Sequence, residues 1–283
     1  ISSVVIILVF LKFQGRTLNK KLIKRIFFSK KYWFGPSARK DFFWLGINVL
    51  TKSILATVFL GSQLIFTMIV AYWFQSRYGT ISFIEIPWLI VALTFTLTLF
   101  IFEDFSRFLL HRAMHRLPFF WQFHKVHHSA TTLTPLTLHR VHPVETCLYF
   151  FRGILVFGIV SGVFVYIFGG KLTALDILGV EALGFLFNVM GANLRHSHIW
   201  FGFGKFESVF ISPAQHQIHH SSLPQHIDSN FGTCLAIWDK LMGTWISSRK
   251  RPNNLAFGIS QPDIESGSGL FLQRKQKQVV VTN

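Results

Sequence analysis

Five histidines stand in one short stretch, His111 to His128, which reads HRAMHRLPFFWQFHKVHH. His111 and His115 are four positions apart, and His124, His127 and His128 follow an i, i+3, i+4 rule. On a helix, each set presents its imidazoles along one side. A third set, His216, His219 and His220 in HQIHH, repeats the second. Neutral imidazole is a common ligand of iron, copper and zinc. A lone HxxxH arises by chance, and a single histidine on an apolar helix is ordinarily a core or surface residue. Two HxxHH boxes and one HxxxH in one chain are not reached that way, so the pattern predicts a metal centre. Eight box imidazoles exceed what one tetrahedral or octahedral ion can use, which predicts two metals.

Other side chains lie where they can complete such a centre. His139 and His142 sit in the polar, Pro-containing segment SATTLTPLTLHRVHPVET, between two boxes. That placement makes His142 an expected ligand and His139 a further candidate. His196 and His198 lie in NLRHSHIW. Asp104 precedes His111 by seven residues, two helical turns along one face, and is a candidate to orient a ligand imidazole. Pairing with Arg107 is the other reading of Asp104. Asp228, in the turn-rich PQHIDSNFGT, is a second candidate for that orienting role.

The elements that must position these residues are apolar helices. The chain is 51% hydrophobic and only 14% charged, with a mean hydropathy of +0.43. Soluble domains carry roughly 25% charged residues, so composition points to a membrane protein. The net charge of +16 could serve nucleic acid, but the basic residues flank apolar runs and form no aromatic-interleaved groove. Cytoplasmic loops and anionic headgroups explain that charge better, and no nucleic-acid partner is expected. Cys147 and Cys234 cannot build a disulfide framework, and neither belongs to a CxxC pair.

Residues 1–11, ISSVVIILVFL, are too short to span and read as the end of a longer apolar segment. Residues 12–40 carry ten Lys or Arg and no acid. They read either as a segment lying on the cytoplasmic headgroup surface or as a solvated basic loop. Four spans are expected: Ser53–Phe74, about Ile86–Phe102, Gly153–Gly170, and about 174–194. The last carries Asp176 and Glu181 and could be a shorter return helix. The second can continue as a helix through DFSRFLLHRAMH, carrying His111 and His115 out of the bilayer. Pro118 ends that helix, and a short one then holds HKVHH. Two hairpins result, and an even number of spans between boxes keeps all histidines on one side. The Lys/Arg bias makes that side the cytoplasm; whether the membrane is a bacterial inner membrane or the endoplasmic reticulum is left open. Ser212 and Pro213 suit the start of the helix bearing HQIHH. The expected architecture is therefore all-α and polytopic, with about four transmembrane helices in two hairpins. A cytoplasmic helical cap would carry the dimetal site. Its divisions are a basic stretch to residue 40, a membrane domain over 41–246 and a polar tail over 247–283.

Together, HRAMH, HKVHH and HQIHH, the His142-Pro143 pair with Glu145, NLRHSHIW, SPAQHQIHHS and NFGTCLAIWDKLMGT resemble the fatty acid hydroxylase / sterol desaturase family. The resemblance covers about residues 45–246. It implies a membrane oxidase whose boxes hold two irons below a membrane-embedded substrate tunnel. Carried onto this sequence, the ligands are the eight box histidines, with His142 and His196 added; His198 stands where many relatives have Asn or Gly. Carboxylate-rich di-iron bundles are excluded by the small number of acids, none of them in an ExxH pattern.

The implied chemistry is dioxygen-dependent attack on a lipid C–H bond, on a fatty acyl, sterol or related chain. Hydroxylation and desaturation both fit the residues. Two Fe ions are the expected cofactors, with Zn a substitute in purified protein, and O2 the co-substrate. No haem motif, flavin fingerprint or ferredoxin cysteine set is present, so a separate electron donor resembling a ferredoxin or cytochrome b5 is expected. Two non-enzyme readings stand beside this one. A histidine-rich metal transporter would line its mid-membrane path with imidazoles, and a haem-binding protein would pair single histidines across two spans.

Overall fold

The computed structural model of the chain describes residues 2–13, 15, 17–81, 86–169 and 194–259. Those residues form helices, turns and two isolated bridge pairs, with no extended strand among them. The helices are α1 (Ser2–Phe13), α2 (Lys20–Phe27), α3 (Lys30–Phe34), α4 (Pro36–Val58), α5 (Ser62–Tyr78), α6 (Trp88–Arg116), α7 (Pro118–His128) and α8 (Pro143–Phe168). Two short ones follow, α9 (Pro213–His219) and α10 (Ile237–Leu241). By length and composition, α4, α6 and α8 can each cross a membrane.

The apolar run Ser53–Phe74, expected to be one span, is not one helix. It breaks between α4 and α5, where Gly61 takes φ +78° and the backbone enters the left-handed region. Glycine adopts that geometry without a Cβ clash, and helices commonly end on it. The basic stretch 12–40 is not a plain loop, because α2 and α3 lie within it. The expected fourth span, about 174–194, lies outside the described residues, as does most of the polar tail.

α8 is the central column. α5 lies along it in the same direction, with Gly158 facing Phe66 and Gly162 facing Thr67 and Val70. A Cβ on Gly162 would stand 2.8 Å from the Thr67 carbonyl, so the two glycines, four apart, permit a close helix approach. α6 packs on α8 in the opposite sense. Val91, Phe95 and Leu99 bury against Phe157, Val160 and Phe164. Nearer the histidine end, Arg152 donates to Glu103 at 2.8 Å and to Ser106 at 2.6 Å. Pro143 opens α8 ten residues before the expected start, because a proline at the first helical position loses no hydrogen bond there.

With 29 residues, α6 is about 44 Å long, which exceeds a hydrocarbon core of roughly 30 Å by about two and a half turns. Its last turns, with His111 and His115, therefore extend past the apolar stretch, as the sequence predicts. Pro118 then starts α7. α4 runs beside this region and holds the following loop. Asn48 donates to the carbonyls of His139 (2.9 Å) and Val141 (2.7 Å). Asp41 pairs with Arg140 at 3.2 Å and accepts from Thr134 and Thr137.

Candidate metal centre

Nine histidines gather in two buried groups. One holds His111, His115, His124, His128 and His219, and the other holds His127, His196, His216 and His220. Within each group, one ligand atom from every residue lies within 4.8 Å of all the others. The groups adjoin, because the His128 and His220 rings stack with centroids 4.5 Å apart.

Helix geometry divides the boxes. At about 100° per residue, positions i and i+4 share a face while i+3 and i+4 diverge. On α7, His124 and His128 join the five-histidine group and His127 turns to the other. On α9 the division is reversed: His216 and His220, the latter capping the helix, join the four-histidine group, and His219 turns to the first. Each HxxHH box thus serves both groups. Ser212 caps α9, its Oγ accepting from the Gln215 N–H while the Gln215 side chain accepts from the Ser212 N–H. Gln217 brings His196 alongside by donating to the carbonyls of Ser197 (3.0 Å) and Ile199 (2.7 Å).

Acceptors fix the ring orientations. His111 Nδ1 lies 2.8 Å from the Phe231 carbonyl, and His219 Nδ1 lies 2.8 Å from the Ser229 carbonyl. His127 Nδ1 reaches the Arg140 carbonyl at 3.2 Å, and His124 Nδ1 reaches Glu145 Oε1 at 2.9 Å. An acceptor at Nδ1 places the proton there and leaves the Nε2 lone pair for a ligand. The Nε2 atoms of His124, His128 and His219 have no hydrogen-bond partner among the described residues. In the second group, Nε2 of His196 stands 3.0 Å from that of His127 and 2.9 Å from that of His216, and His216 stands 3.2 Å from His220.

Burial sets the charge. It pushes the His124 and His127 imidazoles down to about 3. The same cause holds His128, His196, His216, His219 and His220 well below the usual imidazole value, and neighbouring imidazoles add to it. All are neutral at pH 7. A neutral imidazole carries one ring proton, so three Nε2 contacts of about 3 Å in a row cannot all be met by N–H donation. Nitrogens bonded at about 2.1 Å to one ion sit about 3 Å from each other, so this donor set fits metal ions.

The fatty acid hydroxylase family model matches residues 96–244, more than half of the 283-residue chain. The chain belongs to the fatty acid hydroxylase family. An ornithine lipid hydroxylase of Rhizobium tropici is 26% identical over 196 residues, covering 64% of this chain and 54% of that protein. An alkylglycerol monooxygenase of Caenorhabditis elegans is 28% identical over 166 residues, covering 59% and 29%. A putative methylsterol monooxygenase of Dictyostelium discoideum is 26% identical over 161 residues, covering 56% and 53%. The chain thus spans about a third to a half of the length of these relatives. No solved structure matches it.

Not every expected residue lies in the groups of this fatty acid hydroxylase-family chain. His142 is in neither group. It stands at the N-terminus of α8, where its Nδ1 accepts from the Val144 N–H at 3.2 Å, and its ring packs against Phe123. His139 and His198 also stay outside; His198 stacks on Tyr32 with centroids 4.0 Å apart. Asp104 does not orient His111. Its carboxylate accepts from the Cys234 and Leu235 N–H groups and from the Trp238 indole, tying the segment 234–238 to α6. Arg107 pairs with Glu103 instead. Asp228 lies beside the site, 3.8 Å from His115 Nδ1. Glu145 holds the His124 imidazole, and its place in the first turn after His142-Pro143 was the available signal. The carbonyls of Ser229, Phe231 and Arg140 left none, because a backbone acceptor has no side-chain code.

Proposed function

We propose that the chain is a membrane-bound di-iron oxygenase that uses O2 to hydroxylate a C–H bond of a membrane lipid. The observation that carries this reading is the pair of adjoining, buried, all-imidazole groups beyond the end of an apolar helix column. His111, His115, His124, His128 and His219 would hold one iron, and His127, His196, His216 and His220 the other. When bound, a ferrous pair supplies, with dioxygen and two electrons, the oxidising power that no side chain has.

The protein's own part is positioning. Phe231, Ser229, Arg140 and Glu145 hold imidazole protons at Nδ1, so that the opposite nitrogens face inward. Burial keeps water from the site. The outer faces of α4, α5 and α6 expose Leu50, Ile54, Met68, Ile69 and Leu93, and a lipid chain would enter from that apolar side. Relatives named for ornithine lipid, alkylglycerol and methylsterol oxidation support a lipid substrate. The histidine end faces the cytoplasm in this reading. A separate ferredoxin or cytochrome b5-like protein would bring electrons to that basic face.

Lipid profiles of cells with and without the gene test the reading. A gain of one oxygen on a single lipid class is expected. Loss of two hydrogens on that class would move the assignment to desaturation, and unchanged profiles would overturn it.

A further inference from the structure

The loop Ser229-Asn230-Phe231-Gly232 touches two box helices at once. The Ser229 carbonyl accepts from His219 on α9, and the Phe231 carbonyl accepts from His111 on α6, each at 2.8 Å. Both histidines belong to the five-histidine group. Asn230, between the two carbonyls, has φ +52°. Asparagine is among the few residues that tolerate this left-handed geometry.

Two side chains hold the loop, and among the described residues neither hydrogen-bonds to an imidazole. Asn230 is fully buried. Its amide donates to the carbonyls of Gln215 (3.2 Å) and Ile246 (3.0 Å), and its oxygen accepts from the Ile246 N–H at 2.8 Å. Asp239 on α10 is fully buried as well. Its two oxygens accept from the N–H groups of Phe231 (2.8 Å) and Gly232 (2.7 Å), and from the Thr244 hydroxyl at 2.6 Å. The loop is therefore tied to α9 through Asn230 and to α10 through Asp239. A Cβ on Gly232 would stand 2.7 Å from the Leu235 carbonyl and 2.9 Å from Asp239 Oδ2, so the turn leaves no slack.

We propose that Asn230 and Asp239 are positioning residues. They fix the two carbonyls that keep the His111 and His219 protons at Nδ1, so that the five-histidine group is formed before a metal arrives. This rests on the reading that both groups hold metal. Because both carbonyls serve one group, loosening the loop should release that group's metal and spare the other. Outer partners of metal ligands commonly govern affinity by 10–100-fold, and that range is expected here.

The test uses the full chain purified in detergent and loaded with iron(II), with zinc as an air-stable probe. Metal per chain is measured after a fixed exposure to chelator, alongside helicity and monodispersity. Wild type should keep two metals. Asn230→Ala, which loses both the left-handed tolerance and the side-chain ties, should keep one and stay helical. Asn230→Gly, which restores only the backbone, should fall between them. Thr244→Val removes one donor to Asp239 and gives a milder version of Asp239→Asn, should that variant fail to fold. Adding His196→Ala to Asn230→Ala should remove the remaining metal. Two metals retained by Asn230→Ala at wild-type affinity, or both lost together, would overturn the proposal. Wild type that binds no metal would instead defeat the di-iron reading.

Discussion

His196 Nε2 lies 3.0 Å from His127 Nε2, although 69 positions separate the two residues. That contact joins α7 to the segment after α8, and it completes the four-histidine group. Its neighbour two positions on, His198, stacks on Tyr32 instead. His196→Ala should therefore remove one metal per chain, and His198→Ala should remove none. Metal analysis of the two purified variants distinguishes them; equal losses would contradict the grouping.

Glu145 Oε1 lies 2.9 Å from Nδ1 of His124, one of the grouped imidazoles. When ionised, Glu145 would make the Nδ1–H bond of His124 stronger and its Nε2 a better donor to metal. Glu145→Gln keeps an acceptor oxygen but loses the charge. It should weaken metal binding by about 10-fold or more, toward the upper end of the 10–100-fold range for Glu145→Ala. Competition against a metal indicator measures this.

His142 caps α8 through its Nδ1. Replacing it with Ala should cost about 1 kcal/mol, the usual scale for losing a cap, while metal content stays at the wild-type value. Thermal unfolding and metal analysis of the same sample check both halves. Loss of metal in a folded variant would return His142 to the ligand set.

The three boxes were legible because imidazole at i, i+3 and i+4 has few structural uses. Which group each histidine joins was not, since it depends on how α7 and α9 face each other. The same box motif sends His127 to one group and His219 to the other. His142 is a ligand candidate by its place between boxes, and the same His-Pro pair is also a helix start, which is where the structure places it, outside both groups. Asp104 sits two turns from His111 as expected, but its carboxylate is taken up by three donors of Cys234, Leu235 and Trp238. The long α6 and the break at Pro118 followed directly from hydropathy and proline chemistry. The break at Gly61 was hidden inside an uninterrupted apolar run, because hydropathy reports environment and not the continuity of one helix.

Acid should release the site. The His124 and His127 imidazoles are held down to about 3 in the folded chain, against about 6.5 when unfolded. The unfolded state therefore binds more protons as pH falls, and stability falls with it. Stability from the neutral imidazoles is complete above about pH 6.5 and is lost progressively from there toward about pH 3. The metal-free protein should melt at a lower temperature at pH 5.5 than at pH 7.5, as thermal scans in the two buffers would show. An unchanged or higher melting temperature at pH 5.5 would mean the imidazoles are not buried neutral.

The most direct measurement is the iron content of the purified chain after anaerobic loading with iron(II), read with its optical spectrum. The two imidazole groups predict about two irons per chain, no Soret band, and loss of iron in a folded His128→Ala variant. A chain that binds no iron, binds a single ion, or carries haem would contradict the account.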